Sequence, residues 1–163
     1  MNPIVKYFTG ERQESFLFLG LGIIGCTLAL YFLFISKSSF LKGVAVPFLL
    51  VSFLEIAVGL TLIFRSPKDI IRVEKYLFER NEMIQKVEIP RMEIVMRNFL
   101  IFRYIEIGFI LIGIFLLYGF RQSLFWNGIG LGLFIQSSIV LLLDFFAERR
   151  GEVYLGYLKS LVE

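Results

Sequence analysis

Four long apolar runs, separated by short or polar stretches, dominate the chain. They cover about residues 15–36, 40–64, 100–119 and 124–146. A helix that rises about 1.5 Å per residue crosses the roughly 30 Å hydrocarbon core of a bilayer in about 20 residues, so each run is long enough to span it. The pattern therefore predicts an all-α membrane protein with four transmembrane helices, a single domain over residues 1–163, and the lipid bilayer as its first partner.

The main polar stretch, residues 66–98, predicts helices of its own. Ile70, Val73 and Leu77 recur at three- and four-residue spacing, with further apolar residues beside them and charged residues between. Such a stripe is typical of a surface helix whose apolar side lies on the membrane or on another subunit. Residues 81–85 predict a break in this helix.

The third span extends beyond its apolar run in the prediction. Pro90 suits the first turn of a helix, and no breaker follows before Gly119, so one helix is expected from about residue 90. The tail, residues 147–163, has tyrosines and leucines at helical spacing. It predicts a separate short amphipathic helix that either lies at the membrane surface or docks on another part of the protein.

The positive charge predicts an orientation. Thirteen of the seventeen Lys and Arg residues lie before the first span, between the second and third, or after the fourth, and only three, Lys37, Lys42 and Arg121, lie at the opposite ends of the spans. Because basic loops remain in the cytoplasm, both termini and the segment 66–98 are expected there, in the cell (inner) membrane. Six acidic residues interleave the basic ones of segment 66–98, which argues against nucleic acid as a partner.

Composition makes several kinds of chemistry improbable. The chain has no histidine, and its one cysteine, Cys26, lies inside the first span. Imidazole bases, imidazole ligands and cysteine clusters are therefore absent, and neither a metal nor a cofactor is expected. An enzyme is disfavoured, although a pair of carboxylates keeps that class open.

Small residues mark surfaces where helices can approach closely. Gly22 and Gly25 share the first span, and Gly128 and Gly132 form a GxxxG pattern in the fourth. In membranes such spacing favours close helix packing. The packing is expected within one chain, with an interface between two copies as the alternative.

Polar residues inside the apolar runs are the candidate site. They are Glu55 in the second span, Arg103 and Glu106 in the third, and Gln136 and Asp144 in the fourth. Ionisable groups at such depth are costly and therefore usually have a function or a partner. Arg103 and Glu106 are spaced to pair along one helix, and Glu55 is expected to accept a hydrogen bond from Arg103 or Gln136. The cluster predicts one of three things: a structural polar core, a proton or cation path, or a binding site for a lipid headgroup or a partner helix.

Two functions follow from these observations. The first is a small non-enzymatic inner-membrane protein that acts through helix packing and a partner bound at segment 66–98, as an accessory, scaffold or immunity-type factor. The second is an oligomeric ion channel or proton-coupled transporter that uses Glu55, Arg103 and Glu106.

Overall fold

The computed structural model describes residues 3–79 and 82–162, and its described part is all-helical. The elements are α1 (Pro3–Phe34), α2 (Ser39–Glu79), a π-helical turn (Ile84–Glu88), α3 (Ile89–Gly119) and α4 (Leu124–Ser160). Each α-helix carries a stretch long and apolar enough to cross a membrane. The predicted four-span all-α fold is confirmed, and so is the continuous third helix from about residue 90.

The helices are longer than a membrane is thick, and their extra length lies at one end. With 41 residues, α2 is about 60 Å long, twice the hydrocarbon core. Short connections at 35–38 and 120–123 join the spans at the opposite end. The projecting parts form what we call the extramembrane layer: residues 3–14, 65–79, 82–99 and 147–160.

The polar segments continue the spans instead of forming separate elements. α1 begins at Pro3, and α2 passes through Pro67, although proline removes one backbone hydrogen bond from a helix. The expected separate tail helix is the end of α4. Of the expected break at 81–85, residue 81 lies outside the described residues, and the chain is helical from Glu82.

The four helices pack in the lateral order α1, α2, α4, α3. The α1–α2 and α3–α4 hairpins meet along α2 and α4, and α1 also touches α4. Within the described ranges, no Cα atom of α3 lies within 8 Å of α1 or α2. One side of α4 therefore faces a gap between α3 and the α1–α2 hairpin.

The distribution of buried residues reverses along the bundle axis. In the spans, large apolar side chains such as Phe53 and Phe115 face outward, and the polar residues Ser52 and Gln136 are buried. In the extramembrane layer the apolar residues form the core: Ile4, Tyr7, Phe8, Val73, Ile84, Met92, Tyr154 and Leu158. This reversal is expected where the surroundings change from lipid to water.

The predicted apolar stripe of segment 66–98 contacts its own chain. Val73 is fully buried in the core of the extramembrane layer, and Ile70 and Leu77 pack against that core. The expectation that this stripe lies on the membrane or on another subunit is therefore wrong for these three residues. Ile71 and Phe78, on the other side of the helix, are 70% and 80% exposed.

Candidate functional site

Glu55 and Gln136 join α2 to α4 in the bundle interior. The Gln136 amide donates to Glu55 Oε2 at 3.0 Å and to the Ser52 hydroxyl at 3.3 Å. Both Glu55 and Gln136 are at least 96% buried. The other Glu55 oxygen, Oε1, is buried and has no hydrogen-bond partner. Of the two partners expected for Glu55, the structure places Gln136 against it and not Arg103.

Arg103 lies outside this contact and does not form the expected ion pair with Glu106. Its guanidinium instead bridges to Glu148 of α4. Glu148 and Arg103 border a shallow hollow on the outer side of the α3–α4 hairpin. The i, i+3 spacing would allow Arg103 to pair with Glu106, but Arg103 forms its ion pair with an acid on the neighbouring helix, Glu148.

Glu106 faces Asp144 across the α3–α4 contact. The two carboxyl groups lie within hydrogen-bonding reach of each other. Glu106 is 7% exposed, and apart from the Asp144 carboxyl its buried Oε2 has no hydrogen-bond donor among the described residues. Among the described residues, none of Glu55, Glu106 and Asp144 has a basic group within ion-pair distance.

Glu55, Glu106 and Asp144 line one cavity in the gap beside α4. The cavity has a volume of about 340 Å³, and all four helices contribute to its wall. Most of the wall is apolar, and it includes four phenylalanines: Phe18, Phe99, Phe102 and Phe109. Of the five residues predicted as an intramembrane cluster, the structure brings three into this wall. Gln136 lies beside it, bonded to Glu55, and Arg103 is excluded.

Two further acids line the cavity near the extramembrane layer, and each has a cation. Glu14 forms a bidentate ion pair with Arg150, with Nη2 2.6 Å from Oε2. Glu11 accepts from Arg65 at 3.1 Å and from the Ser66 hydroxyl at 2.7 Å. These acids therefore have ion-pair partners, whereas Glu55 and Glu106 deeper in the wall form no ion pair with any described residue.

The four predicted packing glycines all lie at contacts between helices of the one chain. A β-carbon on Gly22 would lie 2.8 Å from the Ser52 carbonyl oxygen, and Gly25 abuts the Ser52 side chain. Gly128 abuts the Phe40 carbonyl, and a β-carbon on Gly132 would lie 2.9 Å from the Val44 carbonyl oxygen. These contacts hold α1 and α4 against α2 and so set the shape of the cavity.

Glu88, which the sequence does not single out, is the centre of a buried network in the extramembrane layer. It is fully buried; Arg91 donates to Oε1 at 2.6 Å and to Oε2 at 3.0 Å, and the Tyr154 hydroxyl donates at 3.1 Å. The π-helical turn, in which the Ile89 N–H bonds to the Ile84 carbonyl, turns Glu88 inward. Burial, and then the charge of Glu88, raise the pKa of Tyr154 above its ordinary value.

Sequence patterns give little warning of Glu11, Glu14 and Glu88. All three lie in charged stretches that are typical of solvated helix surfaces. Their partners Arg65, Arg150 and Tyr154 are distant in sequence, so only the folded chain brings the pairs together.

The described residues contain no group of three or more His, Cys, Asp or Glu side chains placed to hold a metal ion. The cavity therefore offers Glu55 on its own and Glu106 and Asp144 as a facing pair in an apolar wall, which is chemistry suited to binding a proton or a cation. No protein family, curated protein or solved structure matches the chain.

Proposed function

We propose that this small non-enzymatic membrane protein moves protons, alone or coupled to a solute, through the cavity beside α4. The observation that carries the proposal is the pair of buried, unpaired carboxyl oxygens on Glu55 and Glu106, which border one cavity from different helices. Intramembrane acids with this placement are typical of proton relays in pumps and transporters. Four helices enclose too little space for a continuous pore, so we place transport in an oligomer.

Proton flux into liposomes tests this function. Purified protein is reconstituted with a trapped pH-sensitive dye, and a pH gradient is imposed across the membrane. The wild-type protein is expected to dissipate the gradient faster than protein-free liposomes do. Glu55→Gln and Glu106→Gln are each expected to slow this flux, because an amide cannot carry the proton.

Glu152→Gln is the matched control for these variants. It removes an exposed carboxylate of α4 that lies on the outer side of the α3–α4 hairpin, away from the cavity. Its flux should equal that of the wild type. Wild-type flux in both cavity variants would contradict the proposed function, and so would flux no higher than that of protein-free liposomes both in buffer alone and with an organic cation added as solute.

A second candidate function, docking of a protein partner at segment 66–98 on the cytoplasmic side, is supported by the exposure of Ile71 and Phe78. The thirteen basic residues at that end support the orientation, with both termini in the cytoplasm of an inner-membrane protein. Ile71 and Phe78 are two large apolar side chains on the same face of the helix, two turns apart, and such a pair suits the apolar side of a partner helix.

One variant tests both the orientation and the docking. Lys75→Cys, at an exposed position between Ile71 and Phe78 on the same side of the helix, in a Cys26→Ser background, is expected to react with a membrane-impermeant maleimide only in inside-out vesicles. A photoreactive group attached to that cysteine is expected to cross-link one discrete partner, and adding Ile71→Ser should abolish the adduct. Labelling from the outside would refute the orientation, and an adduct unaffected by Ile71→Ser would refute the docking.

A further inference from the structure

We propose that the cavity is a binding site for an amphipathic organic cation, of the alkylammonium class. The ammonium group lies between Glu55 and Glu106, and its apolar part lies along the phenylalanine-rich wall. This inference rests on the proposed function, because it names the solute class for the same site.

The unpaired carboxyl oxygens provide the first argument. Among the described residues, no N–H group and no hydroxyl donates to Glu55 Oε1 or to Glu106 Oε2, and only the Asp144 carboxyl faces Glu106; both glutamates are more than nine-tenths buried. A buried polar atom left without a partner costs free energy, so it usually has a partner when the protein is at work. A cation in the cavity supplies that partner to both oxygens.

The wall determines which kind of cation fits. It is mainly apolar, and four of its side chains are phenylalanines. Aromatic faces attract alkylated ammonium groups, and apolar walls contact alkyl chains favourably. An inorganic cation such as Ca²⁺ needs about six or more oxygen ligands, and this wall supplies isolated carboxyls instead.

The shape of the cavity favours a slender ligand. Along α4 the wall runs from Ser137 to Arg150, which is about 20 Å at about 1.5 Å per residue. A volume of about 340 Å³ over that length is a narrow slot rather than a round chamber. A single alkyl chain with a cationic head matches such a slot.

A route of entry is present on the side that faces the lipid. Leu54 and Val58 on α2, and Phe102 and Ile105 on α3, all line the cavity and are also exposed on the bundle surface. Since α2 and α3 do not approach each other in the described residues, these side chains border an opening to the acyl chains. An amphipathic cation dissolves in the bilayer and so reaches the opening laterally.

The charge around the slot sets its selectivity. Glu11 and Glu14 at one end are compensated by Arg65 and Arg150, and so the uncompensated acids are those in the middle. A neutral chain of the same length fills the same volume but leaves the two oxygens unpaired. The site is therefore expected to prefer the cation over an uncharged analogue.

Equilibrium binding of two matched probes tests the inference. Purified protein in phosphatidylcholine nanodiscs is dialysed at neutral pH against tritiated decylammonium, whose three N–H groups can donate to the carboxyl oxygens, or against tritiated decanol, and partition into empty nanodiscs is subtracted. The cation should bind saturably at one site per chain, and decanol should not saturate. Glu55→Gln and Glu106→Gln are each expected to weaken cation binding by about tenfold or more.

A second pair of variants keeps the test meaningful if the glutamine variants lose their fold. Ile105→Trp places a bulky ring in the slot without changing a charge, and it should abolish saturable binding. Ile107 lies on the same helix but lines a second cavity, on the outer side of the α3–α4 hairpin, so Ile107→Trp should bind the cation as the wild type does. Helical content and elution volume report folding for all four variants.

The outcomes separate this inference from the proposed function. Saturable binding of decanol equal to that of the cation, or of the cation in Ile105→Trp, would overturn the cationic site. Saturable cation binding without any proton flux would support the site and refute the transport function. Proton flux without cation binding would leave the transport function standing and refute this solute class.

Discussion

Replacing Glu88 by alanine is expected to lower the free energy of unfolding by about 3–5 kcal/mol, the typical cost of breaking a buried ion pair. Glu88 is fully buried, and its two oxygens accept from Arg91 and Tyr154. Without the carboxylate, the guanidinium of Arg91, which is 23% exposed, loses its counter-charge, and the Tyr154 hydroxyl loses its acceptor. Unfolding in detergent, followed by circular dichroism, measures the loss.

The effect should be confined to the extramembrane layer at first. Trypsin should cleave the 65–91 region of the variant sooner than that of the wild type, because this layer opens before the spans do. Glu82→Ala is the matched control: Glu82 pairs with Lys86 four residues away in a largely exposed ion pair, and its loss costs at most about 1 kcal/mol. Equal losses in the two variants would refute the role assigned to Glu88.

The second large effect is expected from Gly128→Ala. A β-carbon on Gly128 would overlap the carbonyl group of Phe40, which is backbone and cannot rotate away. The α2–α4 contact must then separate, and overpacking of this kind costs about 1–3 kcal/mol. The loss in unfolding free energy is measured as for Glu88→Ala, and the proton flux should fall with it because the cavity changes shape.

Gly108→Ala provides the control within the membrane. Gly108 lies in α3, and nothing lies within 4 Å of a β-carbon placed on it. Alanine is the better helix former by about 1 kcal/mol, so this variant should be as stable as the wild type or more so. If both variants lose the same stability, close packing at Gly128 is not what holds α2 to α4.

The spans were predictable because the bilayer imposes a length and a composition that can be counted along the chain. The continuous third helix was predictable for a similar local reason, since no breaker lies between Pro90 and Gly119. The extensions of α1, α2 and α4 were not, because their amphipathic patterns fit a membrane surface as well as a packed layer. Val73 illustrates this. Its spacing in the sequence predicts that it is buried, but does not show whether it packs against the membrane or against the core of its own chain, as it does in the structure.

In the candidate site too, the sequence identified the residues but not the contacts between them. Ionisable residues in an apolar run stand out in any sequence, and Glu55, Glu106 and Asp144 were all found by that signal. Their partners were not: Arg103 turns to Glu148 on α4, whereas Glu106 turns to Asp144. Neighbours on one helix are visible in sequence spacing, but contacts between helices depend on which faces meet.

By itself the sequence determined that four helical segments are long and apolar enough to cross a membrane, which polar residues lie inside those segments, and which connections carry most of the basic residues. Those properties depend on the composition of single segments, because the free energy of moving a segment from water into lipid is set by its own residues. Only the tertiary structure decided that the acids border a common slot, that Arg103 stays outside it, and that the polar ends build a core around Glu88. Such contacts join residues on different helices, and their free energy exists only once the helices have packed.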